Sequence, residues 1–390
     1  MTRIEAPFLH DPALRRVLAA LSDAGHQALV VGGAVRNALL GEPIADVDIA
    51  TSALPDDTRR LTEAAGLRAV PTGAEHGTIT VVADSKGFEV TTFRRDVETD
   101  GRHAVVAFSD RIEEDALRRD FTMNALYADA SGQVLDPVGG LPDLVARRLR
   151  FVGDARARIV EDYLRILRFF RFHARYGAKG AADPAALAAC AALAPGLDGI
   201  SKERIGAEMR KLLSAPDPVE AVAMMADAGI VARILPGSRP DALPALIAAE
   251  VQAGASPDWQ TRLALLAPAN PVHDLRLSRE EARAQEHLAT ALTLPLPEAA
   301  YRLGARTARR AALIRTAQGA AFRPDWQERI DRAAAARLPL AARDLMPELS
   351  GPALGEALRE AEIAFVASDF TLPRDSLLRI ALDRSGEMKG

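Results

Sequence analysis

The chain has 390 residues, 48% hydrophobic and 26% charged, with a formal net charge of −4. That length predicts several domains, that composition excludes a disordered chain, and the near balance of charge excludes an overall basic nucleic-acid footprint. The single cysteine, Cys190, excludes an internal disulfide and a cysteine-rich zinc site.

The opening segment, MTRIEAPFLHDPALRRV, carries acids and a proline and lacks an apolar secretory core. No apolar run approaches the about 18 residues needed to span a bilayer, so a soluble cytoplasmic protein without a membrane partner is expected. In chain order, DPALRRVLAALSDAG predicts an amphipathic helix and HQALVV a short strand. Gly32 and Gly33 then separate that strand from a helix, AVRNALL, which Gly41 stops. DVDIAT, GTITVVAD and GFEVTTF predict strands, with turn chemistry at DSKG, and ALYAD with QVLDP predicts a hairpin around ASGQ. The fold class expected is α+β, with a mixed or antiparallel sheet. Beyond Asp136 and Pro137 the periodicity is helical, broken at LAPGLDG, SAPDP, LPGSRP and APANP.

ADVDIAT places Asp46 and Asp48 two apart, on one face if the segment is a strand, with Val47 and Ile49 on the other. The solvated face of an edge strand accounts for this spacing by itself. So does a cation between the two carboxylates, which otherwise repel. The glycine pair before them favours the cation. A Gly-Gly turn into a helix offers free N–H groups to phosphate oxygens, and Arg36 in the first helical turn adds a charge-assisted fork. In GFEVTTF, a register that buries Phe88 and Val90 turns Glu89 toward the face of Asp46 and Asp48. Three hard oxygen ligands beside a triphosphate suit Mg²⁺, and can hold two ions. Arg118, Arg119 and Asp120 form either a helix-end ion cluster or a nucleotide contact.

These segments, with HGTITVV, RRDFTMNAL, DPVGGLPDL and EDYLRILRFFRF in the same order, resemble bacterial class II tRNA nucleotidyltransferases, relatives of the bacterial poly(A) polymerases. The resemblance runs from about Gly32 to Leu213. It implies a polymerase β-like nucleotidyltransferase head followed by an all-α neck, body and tail. The expected divisions are a catalytic head over 1–145, a neck that recognises the base over 146–215, a body over 216–330 and a tRNA-binding tail over 331–390. It implies that Asp46, Asp48 and Glu89 are catalytic and bind the Mg²⁺ ions, and that Gly32, Gly33 and Arg36 hold the triphosphate. It further implies that Arg119 contacts the incoming nucleotide and that DVETDGRHAVVAFSD corresponds to a flexible loop. CTP and ATP are the implied substrates and the tRNA 3′ end the implied partner. The products expected are C, C and A added in turn; poly(A) synthesis, or addition of C or A alone, is the alternative.

Base choice is legible in part. Helical spacing would set Asp162 and Arg165 side by side, with Arg168 and Arg175 near the same stripe. Their default reading is a surface ion pair. However, a carboxylate only accepts and a guanidinium only donates. The pair therefore matches the amino donor and ring-nitrogen acceptor that cytosine and adenine share, and opposes uracil and guanine. The resemblance assigns that template role to Asp162 and Arg165, with Arg168 as a further nucleotide contact. SKERIGAEMRKLL reads as a buttressing helix capped by Ser201. The dipeptide His273-Asp274 hints at a phosphohydrolase but has too few histidines nearby to make one.

Overall fold

Most of the apolar segments of the first 135 residues assemble into one mixed sheet, and the regular elements described after them are helices. The computed structural model describes residues 2–100, 103–267, 269–346 and 348–387. Backbone packing divides the chain into two compact units, Met1–Ile234 and Leu235–Gly390.

In the first unit, α1 (Pro12–Ser22) starts where the Asp11 carboxylate accepts from the Ala13 amide, and buries Leu14, Val17, Leu18 and Leu21. Strand β1 (Ala28–Val31) leads through Gly32 into α2 (Gly33–Leu40), which ends at Gly41 with φ 69°. That left-handed stop is the expected one. Then follow β2 (Asp48–Thr51), α3 (Pro55–Ala64), β3 (Arg68–Gly73), β4 (Thr78–Ala83) and β5 (Lys86–Thr92). The DSKG turn is a two-residue hairpin in which Asp84 and Ser85 both have positive φ. A second hairpin, β6 (Arg94–Asp100) and β7 (His103–Phe108), stands as its own two-stranded sheet. Helix α4 (Ile112–Leu117) precedes the short pair β8 (Tyr127–Ala128) and β9 (Val134–Leu135).

The main sheet has the order β3-β4-β5-β2-β1-β8-β9. All its neighbours are antiparallel except β2 and β5, which run parallel with Ile49 opposite Val90. The sheet is therefore mixed. β3, which carries Pro71, lies at the edge and is mostly exposed, where a missing ladder N–H is tolerated.

Helices α5 (Leu141–Val145), α6 (Ala155–Glu161), α7 (Leu164–Tyr176), α8 (Pro184–Leu193) and α9 (Lys202–Leu213) continue the same unit, which α10 (Val219–Asp227) and α11 (Ile230–Ile234) complete. Phe121, Phe151 and Phe169 stack at centroid distances of 5.0 to 6.4 Å and bind α7 to the segment after α4. On α7, Leu164, Leu167 and Phe170 are buried as their spacing predicts, whereas Ala174 is half-buried. Cys190 is buried on α8, and burial pushes its thiol up to about 12, which keeps it protonated and inert.

The second unit is all-helical: α12 (Leu243–Gln252), α13 (Trp259–Leu266), α14 (Pro271–Asp274), α15 (Arg279–Ala291), α16 (Leu296–Leu303), α17 (Ala305–Ala317), α18 (Trp326–Ala335), α19 (Ala342–Leu345), α20 (Gly351–Ala367) and α21 (Arg374–Glu387). Small side chains from α16 and α17, among them Ala299, Ala300, Ala308 and Ala311, let these helices approach closely. Arg262 and Glu250 form a fully buried ion pair of 2.6 Å between α12 and α13. Among the described residues, no helix is long and apolar enough to cross a membrane.

Candidate active site

Sheet order dictates where the carboxylates meet. Because Ile49 and Val90 face each other across the parallel pair and are both buried, the residues before them, Asp48 and Glu89, lie side by side on the opposite face. Asp48 is the first residue of β2, opposite Val31, and Gly32 follows Val31 directly. The glycine turn and the carboxylates thus share one end of the sheet. Asp46 is not on the strand, contrary to the alternation expected for ADVDIAT: residues 42–47 are irregular and Val47 is only half-buried. Asp46 nevertheless lines the same cleft as Asp48 and Glu89, an open cavity of about 1090 Å³.

Among the described residues, no side chain makes a hydrogen bond or ion pair to any of these three carboxylates. Desolvation by the cleft walls raises the Asp48 carboxyl above the usual carboxylate range, and Glu89 and then Asp46 push it the same way against the pull of Arg119. The three do not form a closed metal cluster in this structure: among the described residues no group of three or more acidic, histidine or cysteine side chains is close enough to enclose an ion. Their chemistry still fits a hard divalent cation, because they are oxygen donors without a counter-charge bonded to them and each of the other two acts unfavourably on the Asp48 charge.

Gly32 adopts φ 69°, a conformation that favours glycine, and Arg119 Nη1 and the Asn124 carbonyl lie beside it. Arg119 is held rigidly. It bonds the Asp115 carboxylate at 2.7 Å and the Tyr127 hydroxyl at 3.0 Å, while that hydroxyl donates to Asp115 at 2.6 Å. Burial opposes ionisation of Asp115, yet Arg119 and Arg118 outweigh it and keep this carboxyl below its ordinary range. Arg36 also lines the cleft, although its guanidinium is occupied. Nε and Nη2 donate to Asn37 Oδ1 at 3.0 and 2.9 Å, Nη2 donates to the Tyr176 hydroxyl at 2.7 Å, and Nη1 donates to Asn124.

The same cleft is also lined, where base reading is expected, by Asp120, Asp162, Arg165 and Arg168. Asp162 and Arg165 are not on one helix face. The helix breaks at Asp162, whose backbone is extended (φ −154°, ψ 105°), because its Oδ1 accepts from the Leu164 amide and so starts α7 afresh. Nor do the two pair with each other. Arg165 bonds Asp120 at 2.8 Å, Glu161 and the Arg158 carbonyl, whereas Asp162 Oδ2 accepts from Arg204 at 2.8 Å. Arg168 also pairs with Asp120, and its Nε is buried without a partner. Burial opposes ionisation of Asp120, but Arg168 and Arg165 prevail and hold it below the usual range.

Sequence reasoning missed Arg204. It lies on α9, which Ser201 caps as expected, and nothing in SKERIG shows that this arginine reaches Asp162. Asp115 and Tyr127 were likewise unmarked, since only the tertiary fold aims them at Arg119. Of the segment read as a flexible loop, the backbone of β6 and β7 pairs as a hairpin; residues 101 and 102, and the side chains of 96–106, lie outside the description. His273 and Asp274 contact each other at 3.2 Å on α14, and no metal cluster gathers around them among the described residues.

Two family models match: the poly(A) polymerase head domain over residues 28–150, and a probable RNA- and SrmB-binding site of polymerase A over residues 182–241. The solved structure of the Bacillus stearothermophilus CCA-adding enzyme in complex with CTP superposes with a TM-score of 0.76 at 30% identity, covering 97% of this chain and 99% of that one. The chain belongs to the tRNA nucleotidyltransferase and poly(A) polymerase family. A CCA-adding enzyme of Geobacillus thermodenitrificans is 41% identical over 223 residues, and the mitochondrial CCA tRNA nucleotidyltransferase 1 of Mus musculus is 40% identical over 232. Those alignments take in 57% and 59% of this chain and 54% of each relative, so the chain spans about half the length of the sequence relatives it matches. The Thermotoga maritima CCA-adding enzyme complexed with tRNA, at 19% identity and a TM-score of 0.70, shares the fold over 98% of this chain. Nucleotidyltransferases of this family typically use a divalent metal.

Proposed function

We propose that the chain adds C, C and A in turn to the 3′ end of tRNA, from CTP and ATP, with release of pyrophosphate. One observation supports the reading: uncompensated carboxylates line the same cleft as an acceptor, Asp162, and a donor, Arg165. Asp46, Asp48 and Glu89 hold the divalent metal, which we take to be Mg²⁺, two ions by analogy with the family. When bound, the metal lowers the pKa of the RNA 3′-hydroxyl and neutralises the leaving pyrophosphate. Gly32, Gly33 and Arg119 cradle the triphosphate, with Arg36 at the same border.

At the base end, Asp162 keeps free lone pairs on both carboxylate oxygens, and the two Nη2 hydrogens of Arg165 are uncommitted among the described residues. Asp162 accepts from the exocyclic amino group of cytosine or adenine, and Arg165 donates to the ring nitrogen. Arg168, whose side chain is partly exposed in the cleft beside Asp120, supplies a further donor. Uracil and guanine would set acceptor against acceptor and donor against donor, a mismatch of ~1–3 kcal/mol for each buried group. The head (1–145) performs the chemistry, the neck (146–215) reads the base, and the body (216–330) and tail (331–390) carry the tRNA. We place this activity in the cytoplasm, where a bacterial tRNA substrate is found.

The test supplies tRNAs lacking all three, the last two or only the last of the terminal nucleotides, with CTP, ATP or both. Ordered completion to CCA is expected. A long ladder from ATP alone identifies poly(A) synthesis instead, and a stop after one kind of nucleotide identifies a partial adder.

A further inference from the structure

Arg36 follows the glycine turn and points into the cleft, where a phosphate ligand would stand, yet four of its five N–H groups are spent on protein acceptors. Its guanidinium is buried, and its carbon lies 3.9 Å from the centroid of the Tyr176 ring and 5.4 Å from that of Phe172. Both aromatic residues belong to the last two turns of α7. A desolvated guanidinium stacked on an aromatic face and bonded to its hydroxyl is a strong, directional joint. Next to it, Arg175 pairs with Glu42 at 3.1 Å, joining the same end of α7 to the loop that leads into Asp46. Asn37, the acceptor for Arg36, donates in turn to the Pro43 carbonyl at 2.7 Å in that loop. The first two turns of α7 are anchored separately, through Arg165 and Arg168 to Asp120.

We propose that Arg36 and Tyr176 form a latch that fixes α7 as a ruler between the two ends of the cleft, and that Arg36 is a positioning residue rather than a triphosphate ligand. The inference rests on the function proposed above. Thirteen residues of helix span about 20 Å at 1.5 Å per residue. With both ends pinned to the sheet domain, the base-reading residues at the start of α7 stand at one distance from the glycine turn and from Asp48. A nucleotide whose base is read correctly then has its α-phosphate at the carboxylates. Loosening the far end of α7 leaves both binding sites intact and misaligns them, so turnover suffers more than nucleotide binding.

The experiment measures addition of CMP to a tRNA lacking its terminal CCA, together with hydrogen exchange over residues 170–177 in metal-free protein. For Tyr176→Leu the expected outcome is a fall in kcat of tenfold or more, with KM for CTP within threefold of wild type and pyrophosphate inhibition unchanged. Exchange in the last turn of α7 should quicken at least tenfold. Tyr176→Phe, which keeps the ring, should stay within threefold of wild type. Arg36→Met with Tyr176→Leu should be no slower than the worse single variant, because one joint cannot be broken twice. Should Tyr176→Leu fail to fold, Arg175→Gln combined with Tyr176→Phe weakens both straps and must lower kcat in the same way. Unchanged kcat in Tyr176→Leu overturns the latch, and a tenfold rise in KM for CTP on Arg36→Met while Tyr176→Leu is silent also restores Arg36 to the phosphates. Failure of the wild-type protein to incorporate CMP or AMP would instead refute the proposed function; the exchange rates would still decide whether the latch exists.

Discussion

The two ends of the cleft treat charge in opposite ways. At the glycine-turn end, Asp46, Asp48 and Glu89 face the cavity without a partner among the described residues, and desolvation, then Glu89 and Asp46, raises the Asp48 carboxyl. At the far end every ionic group that reads the base is already paired: Asp162 with Arg204, and Arg165 and Arg168 with Asp120. Uncompensated acids store a demand for cations, which metal and substrate arrive to satisfy. Compensated groups make no such demand and keep their geometry, as a template must. The same kinds of side chain thus become a reagent site or a ruler according to whether the fold supplies their counter-charge.

Removing a carboxylate at the first end should have the largest effect. Asp48→Ala is expected to lower incorporation by about a thousandfold or more while tRNA binding persists, measured by single-turnover addition beside a gel-shift titration. Normal turnover would sink the metal assignment. Next comes Asp120→Ala, which makes the base end resemble the other by stranding Arg165 and Arg168. A loss of ~3 kcal/mol in urea unfolding is expected, as for a buried pair robbed of one partner, and no loss would mean that the pairing is idle. Asp162→Ala should reduce the preference for C and A over U and G by about tenfold to a hundredfold, as suits one lost match of ~1–3 kcal/mol. Competition of all four nucleotides on one tRNA reads this out, and unchanged selectivity discards the template.

The smallest effect is with acid. Asp115, Asp120 and Asp143 all have folded carboxyls below their ordinary range, despite burial, through Arg119 and Arg118, through Arg168 and Arg165, and through Thr122, Arg148 and Arg150 respectively. A depressed folded pKa contributes stability above the unfolded value of about 3.9 and loses it as pH falls through the folded value. Urea midpoints should therefore hold from pH 7 to 5 and drop below about pH 4, less steeply in Asp120→Asn. Midpoints that ignore pH would show these pairs to be inert.

Much of the reagent end was legible in the sequence because strand alternation is a local rule. Burying Phe88 and Val90 was enough to turn Glu89 toward the cleft, and the left-handed stop at Gly41 needed only its neighbours. Asp46 escaped the rule because β2 begins two residues after it. The base end was legible in composition but not in geometry. Asp162 and Arg165 have helical spacing, yet the Asp162 carboxylate captures the Leu164 amide and interrupts the helix between them. Partners such as Arg204 and Asp115 come from elements distant in the chain, and their own segments carry no mark of it. β3 was hidden by Pro71, which reads as a breaker except on an edge. In the second unit, alanine-rich helices announce themselves and say little else, since the buried pair of Arg262 and Glu250 is spelled by two residues typical of any solvated surface.

The parallel pairing of β2 with β5 has a consequence for biosynthesis. Every other neighbour in this sheet is antiparallel, and β1 can fold back on β2 as soon as both have been made. Asp48 finds Glu89 only after the excursion through α3, β3 and β4 is complete, because Ile49 must wait for Val90. Closing that long loop is slow compared with local pairing. A nascent chain halted before β5 would hold the glycine turn and both aspartates and still be unable to gather the three acids. The reactive centre is therefore timed by topology, and completes itself only once β5 has joined β2.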